Sequence, residues 1–134
     1  MIVLDASLAL DVALASRDGA AFRDLLVRDG RMLAAPEVID LEVLQALRRL
    51  VRDKRLTTER AQYALENLDA LEIERFGHRP LAARIWALRE NLTAYDAAYF
   101  ALAELLDAPL WTRDAKFQSV PGHDARVVVF EVAP

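Results

Sequence analysis

No cysteine occurs in the 134 residues, so disulfides and thiolate zinc sites are excluded, and a reducing compartment suits the chain. Glycine and proline are scarce, at four and five, too few for a collagen-like or low-complexity chain. With two histidines in all, any metal has to be held by oxygen atoms or by two scattered imidazoles. No apolar run approaches the ~20 residues needed to cross a bilayer. The opening "MIVLD" lacks a basic segment and meets an acid at Asp5, so a cytoplasmic protein with no membrane association is expected. A basic excess is missing as well. The net charge of -4 argues against a surface that attracts nucleic acid everywhere, while leaving room for a local basic groove.

What is present is 54% hydrophobic and 28% charged, the profile of a helix-rich globular chain. A single domain over 1–134 is expected, able to bury about two thirds of the surface its unfolded form exposes. "IVLD" has the continuous apolar character of a strand buried on both faces, and "SLALDVALA" follows as a short helix. A second helix is predicted after Gly19, ending at Gly30. "MLAA" is the next strand. Pro36 is predicted to open a long helix with apolar residues at 39, 43, 46, 47 and 50. "TTERAQYALENLDAL" gives another helix with a capping signal at its start. "IERF" reads as a strand closed by Gly77, "PLAARIWALRE" as a helix, and a further helix follows Asn91. "PLWT" and "RVVVFEV" are the last strands. Strands alternating with helices imply βαβ units, hence a three-layer α/β/α domain around a mainly parallel sheet.

In such a sheet, strand carboxyl ends and the starts of the following helices share one edge, where ligands bind. Asp5, Glu42, Asp96 and Asp114 all reach it. Each has an ordinary structural use: Asp5 as a helix cap, Glu42 as a solvated border residue, Asp96 in the capping box "TAYD", Asp114 as the start of a turn. Gathered together, unit charges ~4 Å apart repel by roughly 4 kcal/mol at an effective dielectric of ~20. Either some are protonated or a cation sits among them. An all-carboxylate set suits Mg²⁺ or Mn²⁺, and such ions promote attack of water on a phosphodiester.

These stretches resemble the PIN domain, and within it the VapC toxins of bacterial toxin–antitoxin pairs. "MIVLDAS" is similar to the family's opening strand and first acid, "APEVIDLEVLQALRRL" to its Pro and Glu helix. "LTAYDAAYFALAELLDAPLWTRDAKF" is similar to the third acid and the terminal Thr-x-Asp. The resemblance covers essentially the whole chain. It implies a metal-dependent endoribonuclease that is typically a homodimer and is neutralised by a cognate VapB-type antitoxin. By motif position, Asp5, Glu42, Asp96 and Asp114 would be catalytic and metal-binding, with Ser7 and Thr112 supporting them. Asp40 falls within the apolar arc of its helix and is expected as a further supporting residue.

Arg113 and Lys116 flank the last acid and are candidates for contacting RNA, as are Arg48 and Arg49 in the basic stretch "RRLVRDKR". The same stretch also suits the end of a helix dipole. His78 and His123 are expected exposed in loops, without a catalytic role. Trp86, Tyr95, Tyr99, Phe100 and Trp111 are expected in the core. Two other classes stay in view: a catalytically silent PIN-like binding module, and a receiver-like phosphoacceptor using Thr112 and Lys116. RNA target, antitoxin identity and metal number are not encoded in any motif.

Overall fold

A computed structural model describes residues 1–132. The predicted domain 1–134 thus has its last two residues outside the described ones. Five strands appear among the described residues: β1 (Ile2–Leu4), β2 (Leu33–Pro36), β3 (Ile73–Phe76), β4 (Leu110–Thr112) and β5 (Val127–Val129). Their order is β3-β2-β1-β4-β5, and every pairing is parallel. The sheet is therefore wholly parallel where a mainly parallel one was expected. Its centre, β1, is fully buried, which is why "IVL" shows no polar alternation.

Among the described residues six α-helices flank the sheet: α1 (Ala6–Ala13), α2 (Arg17–Asp29), α3 (Val38–Arg52), α4 (Thr58–Ala70), α5 (Ala82–Ala87) and α6 (Ala94–Leu106). The first four pack on one another around α1, while α6 lies against β1, β2 and β4 and carries α5. The core runs through all of these, from Ile2, Leu4 and Leu8 through Val43 and Leu47 to Phe100, Leu102 and Leu110.

Several boundaries differ from the sequence reading, and "PLAARIWALRE" is a 3₁₀ turn over Arg79–Leu81 followed by α5, which ends at Ala87. Helix α2 begins before Gly19, because Ser16 caps it by accepting from the Gly19 N–H. Gly19 serves instead as a close-approach point: a Cβ there would lie 2.0 Å from the Asp11 carbonyl oxygen. Gly30 does end the helix, in the left-handed conformation. Pro36 closes β2 rather than opening α3. Its missing N–H is harmless at a strand end, and α3 starts at Val38. The last strand is shorter than "RVVVFEV", pairing only over Val127–Val129.

The order of strands places the site. From β1 the chain moves outward through β2 and β3, then returns to the other side of β1 for β4 and β5. The crevice beyond the carboxyl ends of β1 and β4 is thus a topological switch point, the usual ligand position in an open parallel sheet.

Candidate active site at the carboxyl edge

Asp5 directly follows β1 and is 4% exposed. Its carboxylate caps α1: Oδ1 accepts from the Leu8 N–H at 3.1 Å and from the Ser7 hydroxyl at 2.8 Å. Oδ2 accepts from the Thr112 hydroxyl at 2.5 Å, which joins the ends of β1 and β4. Thr112, fully buried, in turn accepts from the Asp114 N–H at 2.9 Å. Ser7 accepts from the Arg113 N–H at 3.0 Å. The two hydroxyls expected to support Asp5 therefore touch it and set its rotamer. The cap reading of Asp5 also holds.

Glu42 lies one turn into α3, half-buried, and its Oε1 accepts from the Tyr99 hydroxyl on α6 at 2.6 Å. Asp96 stands in the first turn of α6, where the Thr93 hydroxyl caps its N–H at 3.2 Å. Asp114 opens a short 3₁₀ turn by accepting from the Lys116 N–H.

Burial governs the protonation of three of these acids. It lifts Asp5 to about 6, against the opposing hydrogen bonds of Thr112, Leu8 and Ser7, and the Asp96 charge adds to the rise. Glu42 is raised by burial and by Asp96, with Tyr99 opposing. Asp96 is raised by burial and by Asp114. Asp96 is thus the acid whose charge reaches both Asp5 and Glu42, and it feels that of Asp114. No ion pair reaches any of them among the described residues. Nor, among those residues, do three acids or histidines converge into a ready-made metal cage.

The donor set nonetheless fits a hard divalent cation. All the available atoms are carboxylate oxygens, and among the described residues no ion pair neutralises them. Asp5 Oδ2 spends one lone pair on Thr112 and keeps another. Mg²⁺ usually retains several waters and needs only one or two direct carboxylates.

Several expectations are corrected. Asp40 does not support the acids: it forms a bidentate pair with Arg75 of β3, at 2.6 and 2.8 Å. The Arg113 guanidinium is not offered to a ligand but bound to Asp11, Asp18 and the Phe130 carbonyl. Lys116 is exposed next to the last acid. Arg48 and Arg49 are exposed further along α3, roughly 9 Å beyond Glu42 at 1.5 Å per residue. His78 is exposed, yet its Nε2 accepts from the Val38 N–H and caps α3. His123 is partly buried against the Phe100 ring. Trp86 and Tyr95 are 67% and 63% exposed rather than core, whereas Tyr99 and Phe100 are buried.

Tyr99 is the site residue that sequence reading missed. A signal existed: it lies three positions after Asp96, on the same face of α6. For His78 no such signal was present. A larger cavity, about 630 Å³ between α2 and β3, opens at the amino ends of the strands, away from every one of these acids.

The PIN domain model matches residues 2–123. Ribonuclease VapC1 of Mycobacterium tuberculosis is 42% identical over 123 residues, 90% of each chain. Ribonuclease VapC9 of the same organism is 41% identical over 87% of each. Among solved structures, VapBC2 from Rickettsia felis, bound to a promoter DNA fragment, aligns at a TM-score of 0.71. That alignment is 16% identical and covers 98% of this chain and all of that one. PAE2754 from Pyrobaculum aerophilum aligns at 0.70 with 24% identity, over 94% and 82% of the two chains. At these identities the structural matches speak for the fold.

Proposed function

The chain belongs to the PIN domain family, and from that premise we propose that it is a Mg²⁺- or Mn²⁺-dependent endoribonuclease, the toxin of a toxin–antitoxin pair. The observation that carries the chemistry is the set of acids, coupled through Asp96, that have no ion pair among the described residues at the switch point of the sheet. The names of the ribonuclease relatives support RNA as the substrate, and the antitoxin of the VapBC complex supports a VapB-type partner that holds the enzyme inactive. A cytoplasmic homodimer is part of the same reading.

Asp5, Glu42, Asp96 and Asp114 would hold the ion, which when bound supplies Lewis acidity to the phosphodiester and to the attacking water. Ser7 and Thr112 keep the Asp5 carboxylate in one rotamer, so its free lone pair has a fixed direction. Tyr99 does the same for Glu42. Burial and the Glu42 contact raise the Tyr99 phenol well above its ordinary range, so it stays a donor at any physiological pH. The charge of the acids disfavours a nearby phosphate, and a bound ion would relieve that. Water adds to phosphorus as the bond to the 3′ oxygen breaks. The water proton is released and the 3′ oxygen takes one up, leaving a 5′-phosphate and a 3′-hydroxyl.

The test is cleavage of total cellular RNA by the isolated chain with Mg²⁺ or Mn²⁺, with EDTA and Asp5→Asn as controls and the 5′ ends mapped. Discrete cuts that need both the metal and Asp5 are expected. Folded, antitoxin-free protein that makes none would turn the reading toward a binding module.

A further inference from the structure

Beside the acids lies a space that the chemistry above does not use. It holds about 200 Å³ and is lined by Val38, His78, Ile85, Ala94, Tyr95 and Ala98. Four segments meet there: the start of α3, the turn after β3, and the first turns of α5 and α6. Its position is tied to the acids by the chain itself. Tyr95 immediately precedes Asp96, and Val38 stands one helical turn before Glu42 on the same side of α3.

The walls are aliphatic and aromatic, with one polar contributor. His78 Nε2 is occupied as the acceptor for Val38 N–H, so the neutral ring carries its proton on Nδ1 and has that single donor left. Tyr95 keeps its ring exposed at the rim. Nearby on α5, Trp86 is also exposed and carries the Arg89 guanidinium 4.5 Å above its ring. Apolar walls, one hydrogen-bond donor and an exposed aromatic face are the features that bind a single unstacked base. A phosphate would find no cation in the walls.

We infer that this pocket takes one unpaired nucleobase of the RNA, next to the scissile phosphate, with Tyr95 as its stacking face and His78 Nδ1–H as its donor. The inference rests on the nuclease reading and adds to it a structural reason for single-stranded substrates. A base inside a duplex is stacked and paired, and cannot enter a pocket of this size.

The experiment uses the full chain and a short single-stranded RNA spanning a mapped cut, with each position in turn made abasic. Wild type is expected to lose roughly 5- to 100-fold in kcat/KM when one particular base near the cut is missing, the range that base–aromatic stacking gives. Ala94→Trp, an exposed position at the rim, fills the space, and Tyr95→Ala removes its face. Both variants are expected to cut the intact RNA at the wild-type abasic rate and to be indifferent to that base. A second readout needs no turnover. Asp5→Asn in EDTA, titrated with RNA carrying 2-aminopurine at the same position, is expected to change its fluorescence, and the change should vanish when Ala94→Trp is added.

Wild type that cuts RNA with metal yet shows no single-base dependence would overturn the pocket and leave the nuclease standing. So would base dependence that survives in both variants, since the space would then have another occupant. Wild type that cuts nothing would sink the nuclease reading itself, and an unchanged 2-aminopurine signal would then overturn the pocket separately.

Discussion

Two sets of carboxylates in this molecule are opposite in treatment. Outside the set of Asp5, Glu42, Asp96 and Asp114, several acids have arginines: Glu104 with Arg84 at 2.6 and 2.9 Å, Asp40 with Arg75, and Asp11 and Asp18 with Arg113. Arg84 holds the Glu104 carboxyl below its usual range. At the carboxyl edge Asp5, Glu42 and Asp96 have hydroxyl partners and one another, and all three are raised. The same chain thus supplies cations to acids of one region and withholds them from the other. Arginine is available to the edge, since Arg113 lies between Thr112 and Asp114, yet its guanidinium turns to Asp11 and Asp18. An acid cluster maintained without an ion pair, in a chain that pairs several of its other acids with arginine, suits a metal site.

The comparison breaks most directly at Asp5. Asp5→Asn is expected to lower metal-dependent RNA cleavage by more than about 100-fold, since outer-shell partners alone are commonly worth 10- to 100-fold. Thr112→Val, which leaves the charge but frees Oδ2, should fall within that smaller range. Initial rates on a mapped oligonucleotide measure both, and an Asp5→Asn variant that cuts normally would remove the residue from the reaction.

The same residue sharpens the comparison through stability. With the folded value at about 6 and the unfolded one near 3.8, the metal-free native state binds the Asp5 proton more tightly than the unfolded state does. Stability then falls as pH rises from about 4 to about 6 and is level above. The difference amounts to at most about 3 kcal/mol. Melting in EDTA across this window should show the decline in wild type and not in Asp5→Asn, which is expected to melt higher at pH 7. Mg²⁺ should raise the melting temperature of wild type and leave the variant unmoved.

The arginine-paired region should respond in the other sense. Arg113→Met leaves Asp11 and Asp18 without their partner and is expected to cost about 1–3 kcal/mol of stability. Cleavage per folded molecule should stay within a few-fold of wild type. A large rise in KM at unchanged stability would instead return Arg113 to the RNA-binding role that its place in the sequence suggested.

Much of this was readable in the sequence because the signals are local. "IVL" is apolar without alternation, as a central parallel strand must be, and Gly30 ends α2 as its position predicts. Alternating elements dictate a parallel sheet, and a parallel sheet brings Asp5, Glu42, Asp96 and Asp114 to one edge. What was not readable depends on partners distant in sequence. Tyr95 and Trp86 have the composition of core residues, and only the packing of α5 against α6 leaves them outside. His78 caps a helix 40 residues before it. Gly19 is a glycine because α2 crosses the Asp11 carbonyl, a contact no residue near Gly19 announces. Pro36 is consistent with either a strand end or a helix start, and β3, by pairing with it, decides.

Asp40 is the mildest test of the comparison, and it is informative because the helical wheel misplaces it. The residue lies on α3 two positions before Glu42, so a periodic reading sets it among the apolar contacts and near the acids. The structure turns it toward β3, where Arg75 meets it with two parallel hydrogen bonds and its side chain keeps 40% exposure. A pair this accessible is screened by solvent and is worth about 1 kcal/mol or less. Asp40→Asn should therefore lower the melting temperature by no more than a few degrees and leave RNA cleavage and its metal dependence unchanged. A tenfold loss of cleavage without loss of stability would mean that the boundary between the two sets of acids runs through α3 about half a turn earlier than the pairing with Arg75 indicates.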